Sequence, residues 1–244
     1  MQKPTPPRLT LHYGSSSSAR TISHDHIAND VSTTMTYDQT ITIRALPGTD
    51  LWRKPPSIDV DNAPTFLISS PIDIHKFQSA RVTVSANWNT LFDQGGLVLF
   101  IPDENTTKWI KMGIEYFVRG PHVMTVGTTR WSDASVIPLG KEKGGKLTVQ
   151  VEREVEDGQK LECLLVYIID EETGEKIAIR EVNWWFRHDI LDQENSKVTL
   201  DSEDNRRLLI GVYAARPTVP AGEGREEEEL VVTLERFQVK LFDD

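Results

Sequence analysis

The chain predicts an all-β fold, a two-sheet antiparallel β-sandwich, and three observations carry that expectation. Alternating apolar and polar runs rich in valine, isoleucine and threonine recur along its 244 residues, the pattern of strands with one buried face. Turn-forming clusters separate these runs. No window of helical length shows a 3.6-residue apolar period, and short consecutive strands without helices pack as antiparallel sandwiches.

Taken in order, residues 1–38 are polar, include the Ser15–Ser18 run, and read as irregular or partly disordered. Strands are expected at Gln39–Leu46, Ser79–Ala86, Gly96–Ile101, Thr107–Val118, His122–Thr128, Lys146–Arg153, Lys160–Asp170, Lys176–Val182, Arg207–Ala214 and Glu229–Leu241. Pro102–Asn105, Arg119–Pro121, Glu156–Gly158 and Glu171–Glu175 are hairpin-like links between them. The acidic stretches Asp189–Arg206 and Arg216–Glu228 read as loop insertions at the sandwich ends, where added length costs little. Residues 1–244 are expected to form one domain, without an internal repeat.

A net charge of -10, with lysine and arginine scattered among more numerous acids, leaves no basic patch to attract a phosphate backbone. Nucleic acid is therefore not an expected partner. The first ten residues hold three prolines and no apolar signal core, and no run is long enough to span a bilayer. With a single cysteine, Cys163, inside an apolar strand run, a buried thiol in a reducing compartment is expected. These features together predict a soluble, cytoplasmic protein that does not bind membranes. No Walker loop, dinucleotide glycine fingerprint or His-Glu-x-x-His is present, and no cofactor is expected. His24 and His26 would share one side of an extended segment, as metal ligands can, but their polar surroundings favour a solvated loop and no metal site is expected.

The richest chemistry lies between Asp93 and Trp131. As a strand, the central run puts Trp109, Lys111, Gly113 and Glu115 on one face and Ile110, Met112, Ile114 and Tyr116 on the other. The even-numbered face is apolar enough to be core. The odd-numbered face is polar and aromatic, and suits the wall of a concave binding groove. Lys111 and Glu115 are about 13 Å apart along the strand, too far for an ion pair. Gly113 between them marks a place where something approaches the backbone closely, a ligand lying between the ammonium and the carboxylate or a neighbouring side chain. Asp93 reads as a turn cap before Gly95-Gly96, and Gln94 as a ligand contact. Trp109 and Trp131 offer flat platforms of the kind sugars stack on. Arg180 shares its strand parity with Trp184 and joins the candidate ligand-binding set of Gln94, Trp109, Lys111, Glu115 and Trp131. Trp52 reads as a plug at one end of the sandwich.

Asp50-Leu51-Trp52-Arg53-Lys54-Pro55-Pro56, Asp93-Gln94-Gly95-Gly96-Leu97, Trp109-Ile110-Lys111-Met112-Gly113-Ile114-Glu115, Arg180-Glu181-Val182-Asn183-Trp184-Trp185-Phe186 and Gly211-Val212-Tyr213-Ala214-Ala215-Arg216-Pro217 occur in this order. Together they resemble the "regulation of enolase" family of the concanavalin A-like lectin/glucanase superfamily, over roughly residues 45 to 242. The resemblance implies a curved jelly-roll sandwich with a concave face. It also implies a binding or regulatory role, with a small-molecule or carbohydrate-like ligand and a metabolic enzyme such as enolase as the partner.

Superfamily glucanases place several acids on one strand in a Glu-x-Asp-x-x-Glu pattern, whereas the strand around Lys111 offers only Glu115. Glycoside hydrolysis needs two carboxyl groups about 5 to 9.5 Å apart, so Asp93 or Asp133 would have to complete the pair. The enzyme alternative is an isomerase-like or lyase-like reaction in which Glu115 and Lys111 move a proton, since burial tunes either group toward neutral pH. A role in fungal secondary metabolism, binding hydrophobic intermediates, is a further alternative.

Overall fold

Two antiparallel sheets face one another, and the strand patterns decide which side chains lie between them. The computed structural model describes residues 10–12, 34–68, 70–102, 106–187 and 205–243. Strands are numbered in chain order. The first sheet runs β1 (Thr10–His12), β6 (Thr65–Leu67), β16 (Arg207–Ala215), β9 (Gln94–Ile101), β10 (Lys108–Phe117), β11 (Gly120–Thr128), β12 (Ser132–Pro138), with β7 (Ile72–Asp73) also pairing β16. The second runs β15 (Lys176–Val182), β14 (Gln159–Ile169), β13 (Lys146–Glu156), β8 (Phe77–Ala86), β17 (Leu230–Leu241), β2 (Thr34–Tyr37), with β3 (Ile41–Ala45) also on β17. A separate hairpin joins β4 (Leu51–Lys54) to β5 (Ile58–Asp61). Two short 3-10 turns, Ile74–Lys76 and Lys141–Lys143, are the helical elements among the described residues.

Every strand expected from alternation is present within a few residues of its bounds. The short strands β1, β2, β4, β5, β6, β7 and β12 were not expected, and the first two lie in the 1–38 stretch read as irregular. Their runs are brief, and the β4–β5 hairpin turns through Pro55 and Pro56, which read as a loop. The β13–β14 turn places Asp157 and Gly158 at φ 50 and φ 78, the left-handed pair that a tight hairpin needs. Between β10 and β11 the left-handed residue is Arg119, and Gly120 and Pro121 already belong to β11. That turn therefore begins one residue earlier than the Arg119–Pro121 link.

The intersheet core gathers Leu97, Leu99, Ile110, Met112 and Ile114 from the first sheet with Val82, Val149, Val166, Val232 and Phe237 from the second. Each such side chain removed from water contributes about 1.5 to 3 kcal/mol. Tyr116 is partly buried against this cluster. Cys163 is a free, buried thiol, as expected, and burial is the chief cause that raises its pKa to about 11. The 216–228 stretch is irregular and mostly exposed, with Arg216 itself buried. His24, His26 and all but the last two residues of Asp189–Arg206 lie outside the described residues.

Candidate functional site

Register places the odd-numbered side chains of β10 on the outer face of the eight-stranded sheet. Cross-strand partners share a face, so Trp109 stands beside Phe100 and Thr128, and Lys111 beside Val98 and Val126. Further along, Gly113 stands beside Gly96 and Met124, and Glu115 beside Gln94 and His122. Tyr213 of β16 lies next to Gly96, completing the row across the two glycines.

This outer face is not the open wall of a concave groove that the sequence led us to expect, since Trp109 is 2% and Lys111 1% exposed. Leu51 and Trp52 of the β4–β5 hairpin cover it, and form a second apolar cluster with Val98, Trp109, Met124, Val126 and Tyr213. The hairpin is fastened at its base and along β4. Ala63 N–H donates to the Asp50 carbonyl at 3.1 Å, and Arg53 N–H to Ser132 Oγ at 2.8 Å. The Arg53 guanidinium donates to the carbonyls of Thr107 and Thr129 at 3.0 and 2.8 Å. Trp52, expected as a plug at the end of the sandwich, is instead part of this cover.

Beneath the cover Lys111 is 1% exposed. Its Nζ donates to Gln94 Oε1 at 2.6 Å and lies 3.4 Å from Asp50 Oδ1. The rings of Trp52, Trp109 and Tyr213 surround the ammonium, with centroids 5.7 to 5.8 Å away. Tyr213 Oη donates to the same Gln94 oxygen at 3.2 Å. Lys111 and Gln94 meet only by leaning over the Gly96–Gly113 pair, where no side chains stand in the way. The close approach that Gly113 marks is that of the neighbouring strand and not of a ligand. A Cβ on Gly113 would lie 2.1 Å from the Gly95 carbonyl oxygen and 2.8 Å from Gly96 Cα.

Burial lowers the Lys111 pKa from its ordinary value, against the pull of Asp50 and Glu115. Glu115, half-buried, is pushed up to about 7 by burial, opposed by the positive charge of Lys111. Tyr213 is held well above the usual phenol value by burial and by the negative charges of Glu115 and Asp50. Glu115, poised near neutrality within electrostatic reach of the buried Lys111, is a carboxyl group able to hold or release a proton at physiological pH.

The structure thus brings Gln94, Trp109, Lys111 and Glu115 to one face, and adds Asp50, Trp52 and Tyr213. These additions lie in segments that carry the family resemblance, but no local pattern distinguishes them as site residues. Two members of the expected set do not join. Trp131 is 55% exposed in the β11–β12 turn and is not part of the apolar cluster around Lys111. Arg180 packs on the inner side of the first sheet, where a Cβ on Gly127 would meet its guanidinium. It donates to the Thr125 carbonyl and to Asp133 Oδ2, at 3.1 and 2.7 Å. The expected strand parity with Trp184 does not apply, because β15 ends at Val182 and Trp184 lies in the turn beyond it; β15 also belongs to the opposite sheet.

Asp93 is a turn cap, but of the turn before it, accepting from Thr90 N–H at 3.0 Å; Gly95 and Gly96, where the turn was expected, are already part of β9. It also receives Arg216 through Nε and Nη2, both at 2.8 Å, in a fully buried pair. Asp93 and Asp133 are therefore held by arginines and are not poised to complete a catalytic carboxyl pair with Glu115.

A cleft of about 260 Å³ opens against Trp109, lined by Leu51, Arg53, Asp61, Phe100 and Thr107 among others. A larger one, about 470 Å³, lies across the second sheet by Glu152, Tyr167 and Lys176. There the Lys176 ammonium is neutralised by Glu152 at 2.6 Å, with both groups partly solvated. Charges paired in water carry little energetic consequence. The buried cluster under the hairpin is the stronger candidate.

Comparisons with known proteins agree with this fold. The chain is 39% identical over 183 residues to the uncharacterized protein AN7484 of Emericella nidulans, covering 75% of this chain and 80% of that one. A functionally unknown protein from Saccharomyces cerevisiae has a crystal structure similar to this one, with a TM-score of 0.56 at 17% identity, over 87% of this chain and 98% of that one. The Bacteroides ovatus protein described as xyloglucan PUL GH43B matches with a TM-score of 0.50 at 9% identity, over 90% of this chain but 41% of that one. At such identities the likeness is one of fold, a two-sheet antiparallel β-sandwich. Residues 28–241 match the sequence profile of a family described as a protein of unknown function, and the chain belongs to that family, DUF1349.

Proposed function

We propose that this protein is an intracellular binding or regulatory protein that takes a carbohydrate-like or small-metabolite ligand on the outer face of the eight-stranded sheet, around Gln94, Lys111 and Glu115. One observation carries the reading. A lysine that is 1% exposed, an acid raised to about 7 and a fully buried tyrosine cluster on an outer face, away from the intersheet core. Burying such groups costs several kcal/mol per ion. An apolar outer layer would stabilise the sandwich better, so their presence favours a task beyond folding. The resemblance to enolase regulators supplies a metabolic enzyme such as enolase as the protein partner.

A second reading is favoured by the same carboxyl group: an enzyme in which Glu115 and Lys111 move a proton on a small molecule. Glycoside hydrolysis is the weaker form of that reading, because Asp93 and Asp133 are held elsewhere.

Thermal shift against sugars, sugar phosphates and glycolytic intermediates, with purified enolase as a macromolecular arm, tests both. A true ligand at about 100 times its Kd raises the wild-type melting temperature by roughly 5 to 10 °C. Lys111→Met should lose the shift. Glu115→Gln should keep binding within a few fold if the protein is a binder, and should abolish turnover with binding intact if it is an enzyme. Wild type unresponsive to every arm would overturn the reading.

A further inference from the structure

The least settled group on this face is the Asp50 carboxylate, at the foot of the hairpin and 22% exposed. Its Oδ1 accepts from Leu51 N–H at 2.7 Å, from Gln94 Nε2 at 3.3 Å and from Lys111 Nζ at 3.4 Å. Its Oδ2 has no hydrogen-bond partner among the described residues. Charge-assisted N–H···O bonds normally close to about 2.7 to 2.9 Å. Lys111 makes its one close bond to a neutral amide oxygen and holds its counter-charge at arm's length. A buried ammonium and an amide N–H therefore converge on one carboxylate oxygen, and the carboxylate comes from the covering hairpin, not from the sheet. That is the arrangement of a carboxylate seat with a loosely fitting occupant.

We propose that Asp50 is a tethered stand-in for a ligand carboxylate, and that Lys111 and Gln94 form a recognition site for the anion of a small carboxylic acid. The inference rests on the reading of this face as a ligand site and names the chemistry it recognises. A free carboxylate can close to full hydrogen-bond distance on Lys111 Nζ and Gln94 Nε2, which the backbone at Leu51 denies to Asp50. Its body then extends along the outward path that Asp50 vacates, beside the half-buried Trp52. Asp50 swings outward into the water that already reaches it. Because the tether keeps Asp50 at a high effective concentration, it weakens the apparent affinity of any competitor.

Removing the tethered group should make the seat available to a free one. Asp50→Ala and wild type are melted at pH 8 against sodium acetate, with sodium chloride at matched ionic strength as the control. Acetate should restore the melting temperature of Asp50→Ala saturably, with a half-saturating concentration at least about tenfold below that for wild type. Lys111→Met in the Asp50→Ala background should lose the response. If Asp50→Ala does not fold, Asp50→Asn, which keeps an acceptor for Leu51 N–H, replaces it in the same titration. Chloride matching acetate, equal acetate responses in wild type and variant, or no acetate response overturns the inference. Neutral sugars that shift wild type while acetate fails on the variant overturn the carboxylate alone. Acetate rescue with no sugar response overturns the carbohydrate reading alone.

Discussion

Glu115 is the residue through which pH acts most directly on this protein. Its folded pKa is raised from 4.5 to about 7, with burial the leading cause. Between those values the folded state keeps a proton that the unfolded chain releases. The stability associated with this group is therefore present below pH 4.5 and is lost as pH rises through about 7. A shift of that size corresponds to at most ~3 kcal/mol. Lys111 acts in the opposite sense at higher pH: its lowered pKa means stability recovers as pH climbs toward 10.5. In melts from pH 5 to pH 8, Glu115→Gln should gain stability relative to wild type as pH rises. Parallel curves would show that the carboxyl group is not buried against its charge. The sequence marked Glu115 and Lys111 by type and parity, but neither pKa was legible, because both depend on Asp50 and Trp52 arriving from another element.

At the scale of elements, β9 and β10 are joined through a facing glycine pair, Gly96 at φ 154 and Gly113 at φ 155. L side chains rarely adopt that backbone, and a methyl group on either glycine would collide with the opposite strand. Gly113→Ala should cost about 2 to 4 kcal/mol in urea unfolding. A loss below about 1 kcal/mol would mean the strands separate easily. The rule that a glycine inside a strand signals close approach identified the position and left the visitor open. The visitor proved to be backbone because Gly96 lies in register with Gly113, a fact of pairing, not of either strand alone. The hairpin was harder still to foresee. Leu51 to Asp61 contains two prolines and short strands, so local pattern assigns it to a loop, yet its docking turns a sheet surface into a covered site.

The whole molecule closes through its last strand. β17 lies between β8 on one side and β2 and β3 on the other. It brings Leu230, Val232, Leu234, Phe237 and Val239 into the core. A chain ending before Leu230 should therefore give no cooperative melt and a collapsed amide spectrum by NMR. A sharp transition in that truncation would show that the first sheet stands alone. Pairing of β8 with β17 also spans most of the chain, and such non-local closure favours folding in milliseconds to seconds.

The residues themselves determined that the chain is built of strands, which side chains share a face, and that one face of β10 mixes Lys111 and Glu115 with aromatic rings. These follow from alternation, which each stretch encodes in its own few neighbours. The inference that such a face stays out of a core did not hold. Tertiary structure alone decided that this face is covered, that Arg180 looks the other way, and that Trp131 stands outside the apolar cluster. The reason is physical: the environment of Lys111 is set by Asp50, 61 positions earlier, and by Tyr213 from a strand near the end of the chain. No periodicity within β10 records what packs on top of it.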